Sequence, residues 1–150
     1  MNSRNFLPEK LQTALAEVRQ VYVDLAQRPI ERKCTRRTEC CHFKVTGRTP
    51  YLTKGEAIVA ARAFRATGRK ALPENADGSC PMLQPESGNC LIYQGRPFGC
   101  RTHFCAAAGG PFERREVLDL IRRLEDVDLA LNGNGPRPLQ NAVADVLEEM

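Results

Sequence analysis

The seven cysteines restrict what this 150-residue chain can be more than any other feature. They fall into an early group and a later group, which are Cys34, Cys40 and Cys41, and then Cys80, Cys90, Cys100 and Cys105. An odd number of thiols cannot pair completely in disulfides, and a chain of this length can bury an adequate core without covalent cross-links. The cysteines therefore favour metal binding or redox chemistry over a disulfide framework.

Two apolar signals that would place the chain in or across a membrane are not visible in the sequence. The opening residues, MNSRNFLPEKLQTAL, lack the continuous apolar stretch of a signal peptide. No run of about eighteen apolar residues, the length of a membrane span, is present. We therefore expect a cytoplasmic protein with no membrane partner, in which thiols stay reduced and able to bind metals.

The charge of the chain is unevenly distributed. Residues 1–75 carry 15 Lys and Arg against 7 Asp and Glu, and residues 76–150 carry 7 against 11. The excess is concentrated in the basic segment 28–48, which contains the early cysteines. One interpretation is a nucleic-acid-binding surface. The other is that guanidinium groups offset the negative charge of thiolate ligands, and we favour this local role because few aromatic residues are interleaved to stack bases.

Apolar periodicity predicts four helices. The first covers Leu7 to Gln27, and the second opens with the capping box TKGE at Thr53 to Glu56 and ends at Gly68. The third covers Phe112 to Leu131 and the last covers Leu139 to Leu147, with a plain linker at 132–138. The predicted fold class is mainly α, with a minor α+β character: about four helices packed around irregular cysteine loops, with at most a few short strands.

We expect residues 1–150 to form a single cysteine-cluster domain, with a core at about 34–105 and flanking helices at about 7–28 and 112–149. Short strands are expected at 43–45, at 91–93 and around Cys80. Residues 71–111 are rich in Pro, Gly, Asn and Asp. So long a stretch of weak secondary structure is unusual inside a compact domain unless a bound metal ties it together.

The spacing of the thiols indicates that ligands converge from at least two loops. Neither group has the C-x2-C spacing of a zinc knuckle. Seven thiols exceed one four-ligand site, and with His103 the total becomes eight, enough for two such sites or one dinuclear centre. Cys40 and Cys41 are adjacent, so they serve different metals, or one binds metal and the other packs in the core. His42 is a further, weaker ligand candidate.

The usual enzyme signatures are missing from the sequence. It contains no phosphate-binding loop, no dinucleotide-binding glycine motif and no H-E-x-x-H zinc-protease motif. A Cys–His hydrolase needs one distinct thiol beside a positioned base, and none of the seven thiols stands out. Acidic residues are expected almost entirely on helix surfaces. No catalytic residue is assigned, and the sequence leaves open whether the protein is an enzyme.

Three stretches, CTRRTECC at 34–41, CPML at 80–83 and CLIYQGRPFGCR at 90–101, resemble the YkgJ-like cysteine-cluster family. Members of that family are described as zinc- or iron-chelating proteins. The resemblance implies metal ligation by Cys34, Cys40, Cys41, Cys80, Cys90 and Cys100, with Cys105 as a trailing cysteine. Many relatives carry one more cysteine within the first stretch, where this chain has residues 35–39. The early site is therefore one ligand short unless His42 or His103 completes it.

The function we expect is that of a zinc- or iron-binding protein with thiolate ligands. The alternative is an iron or iron–sulfur redox protein or enzyme that acts on an unknown substrate, since soft sulfur ligands suit zinc and iron–sulfur clusters alike. Pro97 is expected to fix a turn that swings Cys100 back towards Cys90. Arg96 and Arg101 are expected to donate hydrogen bonds to thiolate sulfurs or to carbonyls of the cysteine loops.

Overall fold

The computed structural model describes residues 8–28, 50–73, 79–84, 87, 89–102 and 113–150. Its elements, in chain order, are α1 (Glu9–Ala26), β1 (Tyr51–Leu52), α2 (Lys54–Ala66), β2 (Leu83–Gln84), β3 (Asn89–Cys90), α3 (Phe98–Thr102), α4 (Leu118–Ala130), β4 (Arg137–Pro138) and α5 (Leu139–Glu149). Short 3-10 turns at Tyr93–Gly95 and Arg114–Glu116 precede α3 and α4. The mainly α fold class with a few short strands is confirmed.

Helix α2 is the central element, packed against α1, α4 and α5. Its second residue, Gly55, permits this arrangement because an added Cβ would lie 2.7 Å from a Val127 methyl and 2.8 Å from a Val18 methyl. Real Cβ atoms do not approach other atoms so closely, so a larger residue would push α2 away from α1 and α4.

Two apolar clusters form the core, one on each side of α2. The hairpin cluster joins α2 and α5 to the β2–β3 hairpin: Leu52, Ala57, Ala60, Ala61, Phe64, Cys80, Met82, Leu83, Ile92, Leu139, Ala142, Val143, Val146 and Leu147. The bundle cluster joins α1, α2, α3 and α4: Ala14, Leu15, Val18, Val21, Tyr22, Leu25, Val59, Phe98, Val117, Leu120, Leu124 and Val127. The short helix α3 is therefore attached to the bundle side of α2.

The ends of α2 agree with the sequence. Thr53 and Glu56 form the predicted capping box, in which the Glu56 carboxylate accepts a hydrogen bond from the Thr53 amide. Gly68 has φ of 89° and donates its amide to the Arg65 carbonyl, which closes the helix. A residue with a side chain is strained at this backbone angle, so the glycine is a stop signal with a physical basis.

Helices α1 and α5 follow the predicted apolar periodicity, while the third predicted helix is shorter than expected. Pro8 precedes the first residue of α1, and α5 extends to Glu149. The predicted start of the third helix at Phe112 lies outside the described residues. From Glu113 onward a 3-10 turn ends at Glu116, Val117 leaves helical geometry, and α4 begins at Leu118. The Val117 side chain is buried in the bundle cluster, so packing sets the direction of the chain there.

The prediction of a plain linker at 132–138 is wrong. Arg137 and Pro138 form β4, which pairs antiparallel with β1. The buried carboxylate of Asp128 accepts hydrogen bonds from the Gly135 amide (2.9 Å) and from the Lys54 amide at the start of α2 (2.7 Å). The connection is therefore fixed by strand pairing and by a side chain of the preceding helix.

The predicted strands near the later cysteines are displaced. The hairpin pairs Leu83 with Cys90 and Gln84 with Asn89. The strand expected at 91–93 is absent: residues 91 and 92 form a turn that leads into the 3-10 turn at Tyr93–Gly95. Gly95 approaches α2 so closely that an added Cβ would lie 2.9 Å from that of Ala63. This tertiary contact overrides the local β propensity. The strand expected at 43–45 lies outside the described residues.

Within the described ranges, none of the helices combines the length and the apolar character that crossing a bilayer requires.

Candidate metal centre

The structure describes three of the eight predicted ligands, which are Cys80, Cys90 and Cys100. The other five predicted ligands and the weaker candidate His42 lie outside the described residues: Cys34, Cys40, Cys41, His42, His103 and Cys105.

Cys80 and Cys90 are brought together by the β2–β3 hairpin. The sequence predicts a strand around Cys80, and this prediction is wrong: Cys80 starts the turn before β2. Its carbonyl accepts a hydrogen bond from the Leu83 amide at 2.9 Å. Leu83 in turn pairs with Cys90 on β3. Cys80 is buried in the hairpin cluster, and the half-buried Cys90 packs against the same cluster. The backbone around both thiols is therefore held by hydrogen bonds and by apolar packing.

Cys100 lies in the middle of α3. The carbonyl of Pro97 accepts the amides of Cys100 (3.1 Å) and Arg101 (3.2 Å), so Pro97 begins the helical turn that carries the thiol. The turn expected at Pro97 is therefore present, and the approach of Cys100 to Cys90 stays a prediction. The Cys100 side chain is half-buried.

Arg96 and Arg101 brace the backbone between the hairpin and α3. Arg96 donates from Nε to the Tyr93 carbonyl (2.9 Å). Its guanidinium carbon lies 3.8 Å from the centroid of the Tyr93 ring. Arg101 donates from Nε to the Arg96 carbonyl (2.7 Å) and from Nη2 to the Gln94 carbonyl (2.6 Å). The prediction that these arginines bind carbonyls of the cysteine loops is confirmed. They fix the shape of residues 93–101, in which Cys100 lies.

Arg101 also connects α3 to α1. Its guanidinium carbon lies 4.0 Å from the centroid of the Tyr22 ring, a cation–π contact. Burial lowers the pKa of Arg101, and the charges of Tyr22 and Cys100 act in the opposite direction. Arginine stays protonated even so, and its positive charge beside Cys100 can offset the negative charge of a thiolate ligand.

The Tyr22 hydroxyl is an unusual group in the core. Its oxygen is buried, and the Glu56 carboxylate and Cys100 are its nearest charged or ionisable neighbours besides Arg101. Burial raises the pKa of Tyr22 strongly, and the charge of Glu56 adds to this increase. The Tyr22 hydroxyl therefore lies beside the Glu56 carboxylate within the core.

Glu56 is the other buried polar group at this site. Its Oε2 accepts hydrogen bonds from the Thr53 amide (2.9 Å) and the Thr53 hydroxyl (2.8 Å), and its Oε1 accepts the Phe98 amide (2.7 Å). Burial holds the pKa of Glu56 above its usual value, although the hydrogen bonds from Thr53 and Phe98 act in the opposite direction. One carboxylate therefore joins the start of α2 to the start of α3.

The described residues that border segments 29–49 and 103–112 meet around α3 and the start of α4. Arg28 donates to the Glu116 carbonyl (2.8 Å) and forms an ion pair with Asp119. At the other end of the same segment, Pro50 lies against Gly99. Segment 103–112 starts after Thr102 and ends before Glu113, and Thr102 and Arg114 line one cavity of about 420 Å³ with Glu56 and Phe98.

Comparison with known proteins decides the family. The model of the family CxxCxxCC, described as "Putative zinc- or iron-chelating domain", matches residues 33–120. This span is more than half of the chain and contains all eight predicted ligands. The chain belongs to this zinc- or iron-chelating family. The resemblance seen in the sequence is confirmed. A search of curated proteins and a search of solved structures found no match.

The early group of this chelating-family member departs from the pattern in the family's name. That pattern, C-x2-C-x2-C-C, aligns with Cys34, Cys40 and Cys41, but the second position is Arg37. The early group thus offers three thiols where the named pattern has four.

The described donors suit the metals of the family. Cys80, Cys90 and Cys100 are sulfur donors that are buried or half-buried, and soft sulfur ligands select zinc and iron–sulfur clusters. Over the ranges that the structure describes, no three His, Cys, Asp or Glu side chains come close enough together to hold a metal ion.

Sequence reasoning missed the roles of Tyr22, Glu56 and Asp128. Tyr22 lies on the apolar face of α1, a position typical of an ordinary core residue, and the sequence indicates for Glu56 only a role in the cap of α2. The expectation that acidic residues lie almost entirely on helix surfaces failed at Glu56 and Asp128, which are 2% and 4% exposed. The only signal for Glu56 was the capping box, which does not show its contact with Phe98.

Proposed function

We propose that this protein binds zinc or iron through thiolate ligands gathered from two regions of the chain. The proposed ligands are Cys34, Cys40, Cys41, Cys80, Cys90, Cys100, Cys105 and His103. The proposal is supported by the membership of a family described as zinc- or iron-chelating, whose matched span contains every one of these residues.

The observation that carries the proposal is that the described residues bordering segments 29–49 and 103–112 lie around α3 and the start of α4. Segment 29–49, with three cysteines, is bordered by Arg28 next to α4 and by Pro50 next to Gly99. Segment 103–112, with Cys105 and His103, starts directly after α3. Both segments are thus attached beside the helix that carries Cys100. We propose that donors far apart in the sequence converge beside this helix on one centre, as a tetrahedral thiolate site requires.

The hairpin supplies a second set of donors. Cys80 and Cys90 share one apolar cluster, and hydrogen bonds fix their backbone on both sides of the Leu83–Cys90 pair. With eight proposed donors, the arrangement fits two four-coordinate sites or one dinuclear centre. We propose that the hairpin thiols and Cys100 anchor these sites on the folded core.

We also propose that residues 1–150 act as a single domain around a cysteine core at about 34–105, and that the protein works in the cytoplasm. Zinc would act in closed thiolate sites that stabilise the fold. Iron, alone or as an iron–sulfur cluster, would add redox chemistry. The metal found in the purified protein decides between these two roles.

The proposal is tested by measuring metal content in cysteine variants. Cys80→Ser, Cys90→Ser and Cys100→Ser should each lower the zinc or iron bound per folded chain, because serine does not replace a soft thiolate ligand. Ser87→Ala, an exposed change in the same hairpin, serves as the matched control and should keep the full metal content. Full metal content in all three cysteine variants would overturn the assignment of these residues as ligands.

A further inference from the structure

The Glu56 carboxylate divides its two oxygens between two helices. Oε2 binds Thr53, the residue before α2, and Oε1 accepts the amide of Phe98, the first residue of α3. Glu56 is only 2% exposed, so water does not compete for these hydrogen bonds. A charged acceptor in such surroundings makes stronger hydrogen bonds than a neutral one.

Helix α3 depends on contacts of this kind for its position. It has five residues, whereas isolated helices shorter than about 12 residues are not stable on their own. Two contacts hold its ends: the Phe98 amide donates to the buried Glu56 carboxylate at the start, and the half-buried Arg101 stacks on the Tyr22 ring near the end. Cys100 lies between these two contacts, so its thiol is placed by both of them.

We propose that Glu56 is a positioning residue for the Cys100 thiol, holding α3 where the thiol can bind metal. This inference rests on the proposed function of Cys100 as a metal ligand. It assigns to Glu56 a role beyond helix capping, because the contact with Phe98 is not needed to start α2.

The role requires a carboxylate with the length of glutamate. In Glu56→Gln the side chain has one acceptor oxygen, so its NH2 group must face either the Thr53 amide or the Phe98 amide, both of which can only donate. In Glu56→Asp the charge remains, but the side chain is shorter by about 1.5 Å and cannot serve both helices. In both variants the side chain can therefore no longer make its hydrogen bonds to Thr53 and to the Phe98 amide at the same time.

Asp128 provides a matched control. Like Glu56 it is a buried carboxylate at the start of α2, where its Oδ1 accepts the Lys54 amide at 2.7 Å. Its second oxygen accepts the Gly135 amide in the loop before β4 and not a group of α3. Asp128→Asn should therefore weaken the fold in a similar way without releasing Cys100.

The first experiment measures the alkylation rate of Cys100 in the metal-free full-length protein, by mass spectrometry, with Cys80 and Cys90 as internal references. Glu56→Gln should raise the Cys100 rate about tenfold relative to these references, the factor expected in a local opening equilibrium when one charge-assisted hydrogen bond is lost. Asp128→Asn should leave this ratio within about twofold of the wild type. Equal ratios in the wild type and Glu56→Gln would overturn the proposal.

The second experiment measures the thiolate-to-metal absorption per bound Co²⁺, which substitutes for zinc and reports on sulfur ligands. We expect Glu56→Gln to lower this absorption and to weaken Co²⁺ binding about tenfold, as for other residues that orient metal ligands. Asp128→Asn should match the wild type. The same change in both variants would overturn the proposal, because it would reflect a general loss of stability. If Glu56→Gln does not fold, Glu56→Asp is compared in the same way.

Failure of the proposed function has a different signature. If Cys100→Ser leaves the Co²⁺ spectrum unchanged, Cys100 is not a ligand, and the ligand assignment fails. The alkylation ratio in the metal-free protein does not depend on that assignment. A raised ratio would then still support positioning of the thiol by Glu56, and an unchanged ratio would overturn it.

Discussion

The Phe98 amide donates to Oε1 of Glu56 over 2.7 Å, although 42 residues separate them in the sequence. This hydrogen bond connects the central helix α2 to the short helix α3 and to its cysteine. The other oxygen of the same carboxylate closes the capping box with Thr53. One buried carboxylate thus contacts both the start of α2 and the first residue of the helix that carries Cys100.

Thr53→Ala and Glu56→Ala should differ in their effect on stability. Thr53→Ala removes only the hydroxyl of the capping box, and we expect a loss of about 1 kcal/mol in the free energy of unfolding. Glu56→Ala also leaves the buried Phe98 amide without its acceptor, which should cost at least about 2 kcal/mol more. Urea denaturation of the two variants tests this order, and equal losses would contradict the role of the Phe98 contact.

Gly55→Ala should destabilise the fold by about 1–3 kcal/mol, because the new methyl group collides with side chains of α1 and α4. Gly99→Ala is the matched control: the nearest atom to its added Cβ is 3.5 Å away, an ordinary contact with Pro50. Thermal denaturation compares them. Similar melting temperatures for the two variants would show that α2 does not need its close approach.

The contact between α1 and α4 should be weaker in acid, because two ion pairs join α4 to α1 and to Arg28 just after it. Arg123 lowers the pKa of Asp24 through a hydrogen bond, and Arg28 lowers the pKa of Asp119 in the same way. A carboxyl with a lowered folded pKa contributes stability above its unfolded value of 3.8, and this contribution is lost as the pH falls below 3.8 through the folded pKa. Asp119→Asn should therefore reduce the slope of stability against pH in this range. An unchanged slope would count against the Arg28–Asp119 ion pair.

Arg37→Cys should increase metal binding by the early cysteine group. It restores the second cysteine of the pattern in the family's name and gives that group four thiols, as a tetrathiolate site needs. Metal titration of the variant and the wild type compares stoichiometry and affinity, with Arg36→Cys as a control that adds a thiol at a neighbouring position. Equal gains in both variants would contradict a specific site.

Metal removal should loosen residues 34–105 more than the flanking helices, because binding energy replaces apolar burial in the cysteine loops. Hydrogen exchange before and after chelation is the direct measurement. Protection should fall most in the β2–β3 hairpin and in α3, and least in α1 and α5. Unchanged circular dichroism and melting temperature after complete metal removal would contradict this prediction.

The helices were predictable from the sequence because their signals are local. The apolar stripes of α1 and α5, the Thr53–Glu56 capping box and the stop at Gly68 all depend on residues within a few positions of each other. The two-residue strands were not predictable, since pairing with a distant partner defines them. Arg137 is paired with Leu52, and no pattern near either residue shows this.

The difference between local and long-range contacts also explains which roles at the candidate site could be predicted from the sequence. The roles of Arg96 and Arg101 were accessible because their acceptors lie within seven residues of them. The roles of Glu56 and Asp128 were not, because each carboxylate binds an amide far along the chain, at Phe98 and at Lys54. A capping motif in the sequence therefore does not reveal the further contacts that its carboxylate makes in the tertiary structure.

The most direct test is the metal content of untagged protein purified without oxygen, measured by elemental analysis together with the visible absorption spectrum. We predict about one or two zinc or iron ions per chain, with a colourless protein for zinc and sulfur-to-iron absorption bands for iron. A protein that contains no stoichiometric zinc or iron, and that retains neither after loading and desalting, would contradict the account.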